Sequence, residues 1–169
     1  MRTLHEEYTM AFNAKILAEY TAPKSWKLFR EVSFEFDLNN DDVALCKLIG
    51  ANIKDLGKGK AKIICKEGMW TDLASVPRAA WAFIAPWDVA RAAIIHDHLY
   101  AVLRNYHNGK KCDKAKWKQA RKLADDIFLK GMEASDPKVP AWKKYAAYYS
   151  VRCFGWGPAS AKGQDKFGL

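Results

Sequence analysis

Apolar and polar residues alternate in the first third of the chain and recur at helical spacing in the last half. Met10, Phe12, Ala14 and Ile16 alternate with other residues, a weak strand signal that a helix can mimic. Trp26 to Leu38 (WKLFREVSFEFDL) alternates more clearly, with Phe, Val and Phe at strand-favouring positions, and is predicted as strand. Asn39-Asn40-Asp41-Asp42 breaks that pattern and offers a cap for a short helix running to about Ile49. Lys54 to Lys60 (KDLGKGK) reads as a loop, Ala61 to Cys65 (AKIIC) as a short strand, and Lys66-Glu67-Gly68 as the turn after it.

The second part of the chain reads as helical. Asp88 is an N-cap candidate, and Val89 to about Arg104 contains no Gly or Pro. Asn105 to Lys111 (NYHNGKK) is predicted as a loop. Asp113 caps a longer helix to about Ala134, with Trp117, Ala120, Ala124, Ile127, Phe128 and Met132 at helical spacing. Asp136-Pro137 and Pro140 break it. A third helix follows from about Ala141 to Cys153 and places Trp142, Tyr145, Ala146, Tyr149 and Cys153 on one face; Gly155 and Gly157 end it. The tail from Pro158 to Leu169 is small and polar and is expected to fray.

Strands first and helices last is the order of an α+β protein: a small N-terminal antiparallel β layer followed by three helices. The 169 residues suit a single domain, with a β-rich part over 1–66, an insertion near 43–60, a motif-bearing helical part over 67–157 and a flexible tail over 158–169. Half of the residues are apolar and 13% are aromatic, which excludes disorder and leaves material for a core. No apolar run approaches the roughly 20 residues of a membrane span. Met1 to Glu7 has no basic segment followed by an apolar one, so no secretory signal is expected, and the host cytoplasm or a virion is the expected location.

The net charge of +9 changes this picture because it is uneven. Residues 1–50 carry 6 basic and 8 acidic groups, whereas residues 101–169 carry 15 and 6. Such a face suits an anionic partner, whether lipid surface, acidic protein or nucleic acid, or it keeps a helical surface solvated. Cys46, Cys65, Cys112 and Cys153 form no C-x-x-C pair and have no histidine at metal-site spacing, so they read as reduced thiols rather than zinc ligands.

Three stretches carry candidate chemistry. Thr71-Asp72-Leu73-Ala74-Ser75-Val76-Pro77-Arg78 follows a strand, where loops hold ligands; equally, Ser75 can cap a short helix and Asp72 can hold a turn. His96-Asp97-His98-Leu99-Tyr100 lies in the Val89–Arg104 helix. His96 and Tyr100 share a face with Ala92, Ala93 and Leu103 that points to the core, and His98 is expected on an exposed side. On the following helix, Asp125 falls with Arg121, Phe128 and Met132 and is expected half-buried, while Asp126 has Lys122 and Lys130 at ion-pair spacing. Asp125 on one nitrogen of His96 would fix its tautomer and leave the other nitrogen as a general base, with Tyr100 donating to the same carboxylate. Asp97 and Asp72, both hard oxygen donors, are the candidate ligands for a hard cation beside that base. The competing reading is a core histidine satisfied by a structural aspartate.

The blocks TDLASVPR…W…P…AAIIHDHLY…ADDIF…W…VRCFG, from about Trp70 to Gly157, closely resemble a family of small phage and prophage proteins catalogued as a domain of unknown function. That resemblance implies a phage or prophage origin. His96-Asp97-x-x-Tyr100 followed by Asp125 is also similar to the phospholipase A2 pattern, with Trp70-Thr71-Asp72-Leu73-Ala74-Ser75 resembling an upstream block of its bacterial members. This second resemblance implies an antiparallel helical pair in which His96 is the base for water, Asp97 binds calcium, and Asp125 and Tyr100 orient the histidine. The chain departs from that family in lacking its paired cysteines.

Three functions fit these residues. The first is a calcium-dependent lipid or ester hydrolase on an anionic membrane surface. The second is a non-catalytic virion or host-interaction protein, in which the polar seam specifies the fold and aromatics such as Trp142 and Tyr148 meet a phage or host protein. The third, ranked below them, is nucleic-acid binding by Lys110–Lys122 (KKCDKAKWKQARK). A His-Asp metal phosphohydrolase needs a further upstream histidine ligand, and His5 alone does not provide a convincing one.

Overall fold

The computed structural model describes residues 10–13, 15–21, 25–71, 89–136 and 138–161. Among these residues, seven strands come first, interrupted by one helix: β1 (Ala11–Phe12), β2 (Ala18–Thr21), β3 (Ser25–Leu28), β4 (Val32–Asp37), α1 (Asn40–Leu48), β5 (Ile53–Gly57), β6 (Lys60–Cys65) and β7 (Trp70–Thr71). Four described helices follow: α2 (Ala90–Asn108), α3 (Lys114–Glu133), α4 (Ala141–Phe154) and α5 (Trp156–Ser160). The chain is α+β, as its pattern predicts.

The β layer is two antiparallel sheets rather than one, with strand orders β1-β4-β6-β5 and β2-β3-β7. The Trp26–Leu38 alternation, predicted as one strand, is divided between them. Leu28 closes β3 by donating its N–H to the Met69 carbonyl, and Val32 opens β4 opposite Cys65. Between them the Phe29 N–H reaches the Leu17 carbonyl and the Arg30 guanidinium the Lys15 carbonyl, so the chain turns away from one sheet into the other. Phe29 is left exposed at the corner.

KDLGKGK is not a loop but most of a hairpin. β5 pairs with β6, and the tip Gly57-Lys58-Gly59 has φ of 76°, 54° and 74°. Tight hairpins demand such left-handed backbone, and the two glycines supply it at little steric cost. Asn39 caps α1 as predicted, its side-chain oxygen accepting from the Asp42 N–H at 2.8 Å.

α2 is the central rod. Its Ile94, Ile95, Leu99, Val102 and Leu103 are buried in one core with Val32, Phe34 and Phe36 of β4 and Ile63 and Cys65 of β6. The expected cap Asp88 lies outside the described residues; Val89 is the N-cap, and the helix runs past Arg104 through most of the predicted loop to Asn108. Asp113 caps α3 through Oδ1, which accepts from the N–H groups of Ala115 at 2.8 Å and Lys116 at 3.1 Å. Such a cap contributes about 1 kcal/mol.

α2 and α3 form an antiparallel pair: Ala92 meets Gly131, His96 meets Asp125, and His107 meets Trp117. The approach is closest at Ala92, where a Cβ on residue 131 would stand 2.9 Å from the alanine Cβ. Small residues at that crossing let the helices close, which brings polar side chains one turn further along within bonding distance.

α4 packs on α3 through Ala147 and Val151. The Trp142, Tyr145 and Tyr149 face is the outer one, and all three are exposed. The expected frayed tail is ordered into helix α5 as far as Ser160; residues 162–169 lie outside the described part.

Candidate active site in the seam between α2 and α3

Asp125 is the centre of the seam and is fully buried (0% exposed), more deeply than the half-burial expected from its position. Its Oδ1 accepts from the Nε2–H of His96 at 2.9 Å and from the Tyr100 hydroxyl at 2.7 Å. Its Oδ2 accepts from the Arg152 guanidinium of α4 at 2.8 Å, and the Arg121 guanidinium stands 3.8 Å away. Arg121 also donates to the Arg152 carbonyl at 3.3 Å, tying α3 to α4.

The location follows from helical spacing. His96 and Tyr100 are four residues apart on α2, so their rings lie in contact, tilted by 40° with centroids 4.1 Å apart. Phe128 closes the other side of the imidazole at 4.8 Å. Gly155 completes the enclosure: a Cβ there would collide with the Tyr100 hydroxyl and with the Val151 carbonyl.

Burial by itself would push the Asp125 carboxyl towards its neutral form. The hydrogen bond and charge of His96 and the bonds from Arg152 and Tyr100 outweigh it, holding the group below its ordinary range. The Tyr100 hydroxyl is pushed well above its usual value by burial and by the Asp125 charge, so it donates and stays neutral. With Nε2–H committed to the carboxylate, Nδ1 is the ring nitrogen left to take up or give up a proton. That Nδ1 is buried and has no hydrogen-bond partner among the described residues.

His96, Tyr100 and Asp125 thus come together as the sequence indicates. The other candidates divide. Asp97 is partly exposed and accepts a hydrogen bond from the Thr71 hydroxyl of β7. Asp72 and the rest of LASVPR lie outside the described residues. Among the described residues no group of three or more His, Cys, Asp or Glu side chains could hold a metal ion. Asp97 and Thr71 alone fall short of the six to eight oxygens calcium takes.

His98 is a correction: it is buried, not exposed. The sheet packs against α2 on that side too, and His98 Nε2 accepts from the Asn52 N–H at 3.2 Å. Burial lowers its pKa to about 4. Asp126 keeps the expected pairing with Lys122 at 2.6 Å and also accepts from Tyr148 at 2.8 Å, whereas Lys130 turns to the Asp37 carbonyl.

Arg152 is the site residue that sequence reading missed. Its signal was the i, i+4 pair Tyr148 and Arg152 on the same side of α4 as Ala147 and Val151. Both side chains reach α3, where they bond Asp126 and Asp125.

One family model, described as "Protein of unknown function (DUF1353)", matches residues 51–151. The chain belongs to this DUF1353 family. The match takes in β5 to β7, α2, α3 and α4 as far as Val151, and so includes His96, Asp97, Tyr100 and Asp125. It starts inside the Val43–Lys60 segment and stops one residue before Arg152. No curated protein and no solved structure matches the chain.

Proposed function

We propose that this DUF1353 protein is a phage-encoded hydrolase that uses His96 as general base on a phospholipid-type ester. One observation carries the reading: His96 Nδ1 is a buried nitrogen with no partner among the described residues, on a ring whose opposite nitrogen is bonded to an ionised carboxylate. A carboxylate placed there fixes the tautomer and stabilises the imidazolium formed when Nδ1 accepts a proton. In the reaction, Nδ1 takes a proton from water as the oxygen bonds to the acyl carbon. The tetrahedral adduct then expels the alkoxide, which recovers the proton from the imidazolium. Tyr100 and Arg152 are positioning residues that hold Asp125. The phage assignment rests on the order of the motif blocks.

The proposal includes a calcium ion held by Asp97 together with Asp72, with backbone carbonyls and water completing the shell. Calcium is then expected to raise the melting temperature, and Asp97→Asn to abolish that rise.

The deciding experiment is hydrolysis of a fluorogenic phospholipid with and without calcium. Turnover by the wild-type chain that falls about 10²–10⁴-fold in a folded His96→Asn variant supports the assignment. Wild-type protein that hydrolyses no ester under either condition overturns it.

A second reading has its own support. The His96 ring is only 1% exposed, and water must reach a general base. On that reading the protein is a non-catalytic virion or host-interaction component, and the His96, Tyr100 and Asp125 network only fixes how α2, α3 and α4 pack. His96→Asn then changes stability, and there is no turnover to lose.

A further inference from the structure

The outer side of α4 is unusual for a surface left to water. Trp142, Tyr145 and Tyr149 fall within about 60° of one another around the helix, and all are exposed, Trp142 at 57%. Phe154 and Trp156 continue the aromatic surface at the junction with α5, Trp156 at 65%. Tyr145 and Tyr149 lie with ring centroids 6.4 Å apart, and the Lys143 ammonium sits 5.8 Å from the Trp142 ring. Monomeric proteins rarely leave so many large rings together in solvent.

The stretch of chain that carries this surface bears charge of one sign. From residue 137 to residue 164 the sequence has no Asp or Glu, while Lys138, Lys143 and Lys144 lie on or beside α4. The surface is the convex side of a helix about 20 Å long, not a groove.

We infer that the α4 face is a docking surface for an anionic lipid bilayer. Trp and Tyr are the side chains that settle at the headgroup level, and lysines beside them meet the phosphates. A second copy of the chain fits less well, because its lysines would face these lysines with no carboxylate in the stretch to pair them. Single-stranded nucleic acid also binds basic and aromatic surfaces, but its platforms track a charged groove, and α4 presents a convex side. The inference goes beyond the proposed hydrolase, since it needs no catalysis by His96.

The test is co-sedimentation of the full chain with vesicles. Binding is expected to vesicles containing phosphatidylglycerol, to weaken with added salt, and to be far poorer with phosphatidylcholine alone. Trp142→Ser with Trp156→Ser, and separately Lys143→Glu with Lys144→Glu, are each expected to weaken binding about tenfold or more. Both pairs leave hydrolysis of a soluble ester unchanged, and His96→Asn leaves vesicle binding unchanged, so failure of docking and failure of catalysis are read separately. No sedimentation with anionic vesicles, equal binding to neutral ones, variants that bind like wild type, or self-association through this face in analytical ultracentrifugation each overturn the inference. Binding of single-stranded DNA in place of vesicles overturns it too.

Discussion

The Tyr100 hydroxyl occupies the space in which a side chain at residue 155 would begin. Gly155 sits at the end of α4, and a Cβ there would meet both that hydroxyl and the Val151 carbonyl. The bond from Tyr100 to Asp125 therefore depends on a residue thirty positions away from the carboxylate. Gly155→Ala is expected to destabilise the fold by about 1–3 kcal/mol through overpacking. Gly157→Ala, two residues on, meets nothing within 4 Å and is expected to be neutral or mildly stabilising in α5. Urea denaturation of the two variants checks the contrast; equal effects would show that the enclosure around Tyr100 is loose.

Asp125 binds groups from two helices besides its own. Asp125→Ala leaves the Arg152 guanidinium and the His96 and Tyr100 donors without their acceptor, and removes the carboxylate beside Arg121. The expected loss is about 3–5 kcal/mol, the range for removing one partner of a buried ion pair. Arg152→Met is expected to cost less, about 1–3 kcal/mol, because Oδ1 keeps His96 and Tyr100. A melting temperature unmoved by Asp125→Ala would refute the central role of the carboxylate.

Stability is expected to fall with acid in two separate windows. An unfolded chain protonates His98 near its ordinary value of 6.5, whereas burial keeps the folded ring neutral down to about 4. Between those values the unfolded state holds more protons, so lowering the pH favours unfolding, by up to about 3 kcal/mol across the window. Asp125 acts lower. Its folded pKa is depressed, so its contribution is present above the usual carboxylate value and is lost as the pH falls below it. Comparing wild type with His98→Gln by urea denaturation from pH 7 to 4 isolates the first window; parallel curves would exclude it.

Much of the helical half was legible because helices are written locally. Asp113 and Asn39 announce their caps, and the spacing of Ala92, His96 and Tyr100 fixes a face before any partner is known. The Asp125 network was legible for the same reason: two helices each bring a polar group to an apolar stripe, and few arrangements satisfy both. The β half was less legible because strand neighbours are set at a distance. Nothing near Phe29 in sequence says that β3 leaves for β7 while β4 pairs with β6. KDLGKGK reads as a loop by its glycines, which mark the hairpin tip but not the strands that run into it. His98 is buried against expectation because its position away from the His96 face does not reveal the sheet that packs on that side. Arg152 required knowing which face of α4 turns inward, and the aromatics there point outward.

His96 reaches α3, Asp97 reaches β7 through Thr71, and His98 reaches the backbone just before β5. Consecutive helical residues fan out by about 100°, so α2 is gripped from three directions within a single turn. It can neither roll nor slide without releasing a grip. Length changes along this lineage should therefore collect at places such as the Lys58 hairpin tip, while one residue gained or lost between Ala90 and His96 would spin all three anchors away from their partners at once.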